Sequence, residues 1–522
     1  MNVLLISIDT LSAKHLGCYG YHRTTSPNLD RLAVEGVLFD HFLCAQVPTQ
    51  PSYTSIFTGQ FSVTHSIVTH GGTKQLAHDA PYVTWDLQKA NFTTAAVSNL
   101  HRMQPWFARG FEFLIDPSHK WKFFQSQSCE AVNQRAVPWL KSHADEPFFL
   151  FVHYWDPHTP YLPPERYRGL FYDGDPCDPA KTTMEPLWRQ PFGEWWQRDW
   201  FEKLQPGRKI TDAEYIVAMY DSEIRYVDEM GIAPLLAALD EAGLRDDTLV
   251  MVVSDHGEMM YDHGIYFDHH GLYDENLHVP LIVRWPGRMC HGWLAQPCSS
   301  LPEARRTVGQ ADRGTGRAPA GRRVPHLVVH ADIAATILDA CGCPPHPKME
   351  GRSLLPLFLG KGDEGRGTRD GKEGPEARVT RPEGSLSSAA PSSPAPRPSS
   401  HSVPAGTPVE SSWPDVLVSQ ECTWQAKWAI RTERHKYIKK VGPEPDLHGM
   451  PPRELYDLAS DPEEHRNLAS AEPDVADLLD RQLSAWLAEM VQKNGLSRDP
   501  LVEQGITLGK HWHDWVEKKR YW

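Results

Sequence analysis

The feature that most constrains this chain is a repeated change of period. Short apolar runs rich in β-branched residues alternate with stretches of helical spacing. The runs are "NVLLISI" (2–8), "TTAAVS" (93–98), "FFLFVH" (148–153), "LVMVVS" (249–254) and "PLIVRW" (280–285). They are continuous rather than alternating, as strands buried on both faces are. Between them, "SPNLDRLAVEG" reads as a helix with Ser26 as N-cap, Pro27 at the first position and Gly36 past the end. "TDAEYIVAMYDSEIRYVDEM" opens on a capping box, Thr211 and Glu214, and "HADIAATILDACG" is a further amphipathic helix. The expected fold is α/β: a mostly parallel sheet sandwiched by helices, with a smaller C-terminal α+β subdomain.

At 522 residues the chain is too long for one core. Residues 1–360 are expected to form the catalytic domain, with a flexible Arg/Gly-rich insertion at 301–325. Residues 361–412, rich in Pro, Ser and Gly, read as a disordered linker. Residues 413–522 form the subdomain: "VLVSQECTWQAKWAIRTERHKYIKK" alternates like a small antiparallel sheet, and "EPDVADLLDRQLSAWLAEM" follows as a helix. A net charge of −14 argues against a nucleic-acid partner. No apolar run reaches the ~18 residues of a membrane span, and "MNVLLISID" lacks the parts of a signal peptide. Nine cysteines without paired spacing suit free thiols, so the expected setting is reduced, cytoplasmic and away from membranes. The terminal "KHWHDWVEKKRYW" packs either on its own chain or on a neighbour, which leaves a homo-oligomer open.

Ligands of open α/β sheets bind beyond the carboxyl ends of the strands. Here the first strand runs into Asp9, the second into Asn99 and His101, and the third into Asp156 and His158. The fourth runs into Asp255 and His256, after which "YDHGIYFDHH" adds His263, His269 and His270. Carboxylates, imidazoles and a hydroxyl suit Zn²⁺ or Mn²⁺ better than the all-oxygen shells of Ca²⁺ or Mg²⁺. "VPTQPSYTSIFTGQ" (47–60) reads as a helix start that puts Thr49 where anions bind.

These residues resemble the sulfatase branch of the alkaline phosphatase superfamily. "ISIDTLSAKHLGCYGYHRTTSPNLDRLAVEGVLFDHFLC" resembles its N-terminal signature, "TQPSYTSIFTG" its nucleophile signature, and "VVSDHGEMMYDHG" its Asp-His metal motif. "LYDENLHVPLIVRWPG", "DIAATILDACG…MEGRSLLPLFLG", "WAIRTERHKYI" and "RELYDLASDPEEHRNLA" follow in family order. Sulfatases generally convert a Cys or Ser in the nucleophile slot to formylglycine. The slot here is Thr49, which cannot be converted, and Cys44 in "CAQVP" lacks the required spacing. Tyr53 replaces the usual Arg, Thr10 the usual second Asp, and Asn99 and His269 two usual lysines; His101 keeps the family's histidine position.

The resemblance implies a covalent mechanism on a small anionic ester. Asp9, Thr49, Asp255 and His256 would bind one divalent ion, and no formylglycine would form. Thr49 would attack in line, with Asn99 and His101 donating to the non-bridging oxygens. His158 and His269 would protonate the leaving group or, with Asp156, hold a second ion. His270 is the alternative to His269 if the register shifts by one, and His263 stands behind them. A threonine ester must be hydrolysed at the transferred centre, which favours phosphodiesters or phosphonate esters over sulfate. The alternatives are a sulfate-ester hydrolase without formylglycine, a soluble phospho-group transferase, and an inactive binding module that keeps the fold. The stretch "EPLWRQPFGEWWQRDWF" forms either core packing or an aromatic wall over the pocket.

Overall fold

The computed structural model describes residues 1–118, 127–190, 193–289, 321–359, 416–443, 446 and 448–507. The linker expected at 361–412 and the terminal segment 510–522 lie outside them.

In chain order the strands are β1 (Asn2–Ile8), β2 (Val37–Leu43), β3 (Gln46–Val47), β4 (Thr93–Val97), β5 (Phe113–Ile115), β6 (Phe148–Tyr154) and β7 (Thr248–Val253). They continue with β8 (Leu281–Arg284), β9 (Arg322–Val329), β10 (Val416–Cys422), β11 (Ala426–Thr432), β12 (His435–Lys440) and β13 (Arg453–Asp457). The large sheet has eight strands in the order β5-β4-β6-β1-β7-β8-β2-β9, and only β8 runs antiparallel to its neighbours. β1 is central, paired in parallel with β6 and β7, so the carboxyl ends of all three meet at one edge.

Side-chain parity splits the core into two clusters, one per face. Leu4, Ile6, Leu150, Val152, Val250 and Val252 pack with helices Pro27–Glu35, Cys129–Ser142, Ala213–Val227 and Ala233–Glu241. Val3, Leu5, Phe149, Phe151, Leu249 and Met251 pack with helices Thr49–Thr58, Val83–Lys89 and Ala331–Ala340. The continuous apolar runs are thus explained: both parities of each strand are buried.

The second sheet has five strands, β13-β12-β11-β10-β3, antiparallel except for β3 beside β10. β3 belongs to the N-terminal part of the chain and lies two residues before Thr49, so the second sheet adjoins the approach to that threonine. Helix Pro473–Lys493, expected after the sheet from its sequence, packs against it.

Three local expectations need correction. Helix Ala213–Val227 is capped by Asp212, whose carboxylate accepts from Glu214 N, while Thr211 Oγ1 donates to the Asp178 carbonyl. Asp212 sits where the chain is still extended, φ −111° and ψ 112°, which is the geometry a cap requires. Ser26 precedes helix Pro27–Glu35 as expected, but its hydroxyl donates to Asp30 and accepts from Gly17 N rather than from an N–H of that helix. Residues 322–325, expected inside a flexible insertion, form the start of β9: Arg322 and Val324 pair with Val37 and Phe39, and Pro325 falls at the irregularity that follows. The cysteines among the described residues are free thiols, and no described helix is long and apolar enough to cross a membrane.

Candidate active site

Helix Thr49–Thr58 begins directly after β3, and all ten of its residues are buried. Gly59 closes it in the left-handed conformation, φ 65°. No side chain caps its start. Thr49 is instead the first helical residue, and its Oγ1 lies 3.1 Å from His256 Nε2. The exposed backbone N–H groups of the first turn make this a favourable place for an anion.

Asp9 follows β1 and Asp255 and His256 follow β7, which places these side chains beside Thr49. Among the described residues, Asp9, Asp255 and His256 form the one group of three potential metal ligands, their ligating atoms all within 4.8 Å of one another. His256 Nδ1 lies 3.0 Å from the Gly257 carbonyl and is therefore the protonated nitrogen. That leaves the Nε2 lone pair directed at Thr49 and at Asp255 Oδ2, 3.2 Å away. Asp255 Oδ1 accepts from Thr10 N at 3.2 Å, so Thr10 enters the site through its backbone. Thr10 itself is non-glycine with φ 53°, a conformation that survives only where its surroundings impose it.

The electrostatics call for a cation. Asp9, Asp255 and Glu258 are fully buried, and among the described residues Asp9 Oδ1, Asp255 Oδ2 and both Glu258 oxygens have no partner in hydrogen-bond geometry. Burial, reinforced by Asp255 and Glu258, holds the Asp9 carboxyl well above its ordinary range. Burial likewise pushes Asp255 up to about 6 and Glu258 up to about 7. Clustered carboxylates with unbonded oxygens are costly to bury unless a cation joins them. The donor set therefore fits a divalent ion held by Asp9, Asp255, His256 and the Thr49 hydroxyl.

Two further imidazoles approach this group. His269 stacks on His256, ring centroids 4.7 Å apart and planes 17° apart, and His158 lies 5.0 Å from His269. Burial alone would lower the His269 pKa, but Glu258 at 3.7 Å and Asp268 at 3.6 Å outweigh it and raise it to about 9. Burial and His269 depress His158 to about 3. One of the pair is thus charged and the other neutral near pH 7.

Other expected residues stand elsewhere. Asp156 turns to the start of helix Cys129–Ser142, accepting from Cys129 N at 3.1 Å, and does not join the metal group. Asn99 is fully buried, its carboxamide accepting from Trp155 Nε1 at 2.7 Å and donating to Ser118 at 3.0 Å. His101 Nε2 lies 3.8 Å from Asp116, and no hydrogen bond or ion pair among the described residues joins it to the metal group. His263 stacks on Tyr273 at 3.7 Å, and His270 meets His448. Trp196, Trp200 and Phe201 of the Trp-rich stretch are core residues.

Four contributors went unread in the sequence. His153, at the end of β6, lies 3.2 Å from Asp9 Oδ2 and 3.3 Å from Ser98 Oγ. Strand parity could have found it, since it shares a face with Phe149 and Phe151 toward the Thr49 helix. Glu258 follows the Asp-His pair by two residues. Ser52, one turn along the helix from Thr49, donates to the Asp255 carbonyl at 2.6 Å. Burial lowers the His70 pKa to about 3, and His269 and His158 add to the shift.

A mostly parallel α/β sheet with such a cluster at its carboxyl edge is the architecture of hydrolases that cleave sulfuric or phosphoric esters with a divalent metal, and this chain is one of them. More narrowly, the chain belongs to the sulfatase family: the family model described as Sulfatase matches residues 1–343. It is 22% identical over 432 residues to N-acetylglucosamine-6-O-sulfatase of Bacteroides thetaiotaomicron, covering 69% of this chain and 71% of that protein. It is 24% identical over 430 residues to the multifunctional alkaline phosphatase superfamily protein PehA of Trinickia caryophylli, covering 69% and 77%. Its fold is similar to the crystal structure of phosphonate monoester hydrolase of Agrobacterium radiobacter, with a TM-score of 0.63, 21% identity and 94% and 96% of the two chains covered.

Proposed function

We propose that this protein hydrolyses phosphodiesters or phosphonate esters through a covalent intermediate on Thr49. The observation that carries the reading is the position of Thr49 Oγ1, at a buried helix start and 3.1 Å from His256 Nε2, in a slot that cannot become formylglycine. A divalent cation held by Asp9, Asp255, His256 and Thr49, Zn²⁺ or Mn²⁺ from the donor chemistry, would act as a Lewis acid that lowers the hydroxyl pKa and offsets charge on the ester. Thr49 Oγ1, its proton released to solvent, forms the bond to phosphorus as the in-line bond to the leaving oxygen breaks, and the helix start receives the non-bridging oxygens. His269, protonated and flanked by Glu258 and Asp268, holds charge on the transferred group and supplies the leaving group's proton. Water then attacks phosphorus, neutral His158 takes its proton, the Thr49–phosphorus bond breaks, and the proton returns from His158 to His269, whose ring lies 5.0 Å away.

A second reading, hydrolysis of sulfate esters without formylglycine, is favoured by the relatives named as sulfatases. The deciding assay sets protein reloaded with Zn²⁺ or Mn²⁺ against matched p-nitrophenyl sulfate, phosphate, phosphodiester and phosphonate. Thr49→Ala is assayed in parallel. Metal-dependent phosphodiester or phosphonate turnover that vanishes in Thr49→Ala is the expected result. Sulfate turnover in excess selects the second reading, and activity that survives the mutation removes Thr49 as nucleophile.

A further inference from the structure

The loop that carries His269 is held from two directions. On one side, Phe267 has φ 48° and is buried against Trp196, Trp200 and Phe201, at ring distances of 6.2, 6.0 and 6.5 Å. A bulky residue in the left-handed region persists only where its environment over-determines it. The next residue, Asp268, is tied by its backbone carbonyl, which accepts from Met259 N at 3.0 Å.

The other hold comes from the second sheet. Trp424 lies in the turn between β10 and β11, and its Nε1 donates to Asp268 Oδ2 at 2.9 Å. The same oxygen stands 3.2 Å from His270 Nδ1. Asp268 Oδ1 accepts from His269 N at 2.8 Å and stands 3.6 Å from His269 Nδ1. With Oδ2 bonded by the indole N–H and approached by His270 Nδ1, the carboxylate plane is set and Oδ1 faces His269. Satisfying a buried indole does not by itself account for the contact, because Trp139, Trp188 and Trp285 keep buried Nε1 atoms with no hydrogen-bond partner among the described residues.

We propose that Trp424 is a positioning residue: its indole N–H fixes the Asp268 carboxylate, which orients the His269 ring over His256. The C-terminal sheet would thereby set the geometry of an imidazole at the edge of the large sheet. The inference rests on the reading of His269 as a contact to the transferred group.

Trp424→Phe keeps the aromatic packing and removes the donor. It is expected to lower kcat about ten-fold with KM little changed, since small misplacements of a positioned group are felt strongly in rate. The same change made in His269→Ala is expected to alter kcat by less than about two-fold, because the effect passes through that ring. Equal losses in the two backgrounds, or a wild-type kcat in Trp424→Phe, overturn the proposal. If Trp424→Phe loses metal or melts early, Asp268→Asn, which keeps the side-chain shape, is read in the same cycle by the same criteria. A crystal structure of Trp424→Phe in which the His269 and His256 rings keep their spacing also overturns it. Failure of the underlying reading is distinguishable: His269→Ala then turns over like wild type.

Discussion

Removing the metal should make stability fall as pH rises, and by a calculable amount. In the metal-free protein, burial holds Asp255 at about 6 against an ordinary 3.8, and Glu258 at about 7 against 4.5. At 1.36 kcal/mol per pH unit these gaps are worth about 3 kcal/mol each. Both pKa values are raised on folding, so their stabilising contribution is full below about pH 4 and is lost as pH rises through 6 and 7. His269, raised to about 9, adds to the same trend above pH 6.5. Buried His65 and His330, depressed to about 3, act oppositely below pH 6.5. They lie outside the metal group and cancel when metal-free and metal-loaded protein are compared. A bound cation keeps the carboxylates ionised at no such cost, so the stabilisation it confers should grow between pH 5 and pH 8 by several kcal/mol (about 5 as an upper estimate). Urea unfolding of chelated and metal-saturated protein at each pH measures it, and Glu258→Gln should remove roughly half of the slope. A difference that is flat or shrinks with pH, or a Glu258→Gln slope equal to wild type, would refute the electrostatic account.

Two other expectations concern the support of the site. His153→Ala leaves Asp9 without its imidazole partner and should weaken metal affinity by roughly 10–100-fold, read by titration with a competing chelator; unchanged affinity would make His153 a bystander. Gly257→Ala would drive a Cβ to 2.4 Å from the Glu275 carbonyl oxygen, forcing the Asp255–His256 turn to shift. A loss of about 1–3 kcal/mol in urea unfolding and reduced metal content are expected, and an unaffected variant would show that the turn has room.

Much of the large sheet was legible because its strands are buried on both faces, a condition that writes itself into composition as continuous apolar runs. β8 shows the limit: "PLIVRW" announces a strand, but nothing local states that it runs antiparallel between β7 and β2. Asp9, Thr49, Asp255 and His256 could be named because each sits at a strand end or helix start, where backbone geometry exposes side chains to ligand. Asp156 occupies an equivalent place after β6, yet a neighbouring helix terminus claims its carboxylate. His153, one of the last residues of the same strand, reaches Asp9 instead. Which of two polar residues three positions apart enters a site depends on strand parity and on what packs against each face.

The sequence alone determined the α/β class, the order of its motifs and the sheet edge at which Asp9, Thr49, Asp255 and His256 meet, because these follow from periodicity and from residue chemistry within short windows. Tertiary structure alone decided the partners of those residues: Ser52 on Asp255, Glu258 beside His269, and Trp424 holding Asp268 from a sheet 156 residues further along the chain. Such contacts join groups whose separation in sequence carries no local signal. They exist only in the folded chain, where helix Thr49–Thr58 and the loops after β7 meet and the turn between β10 and β11 reaches Asp268.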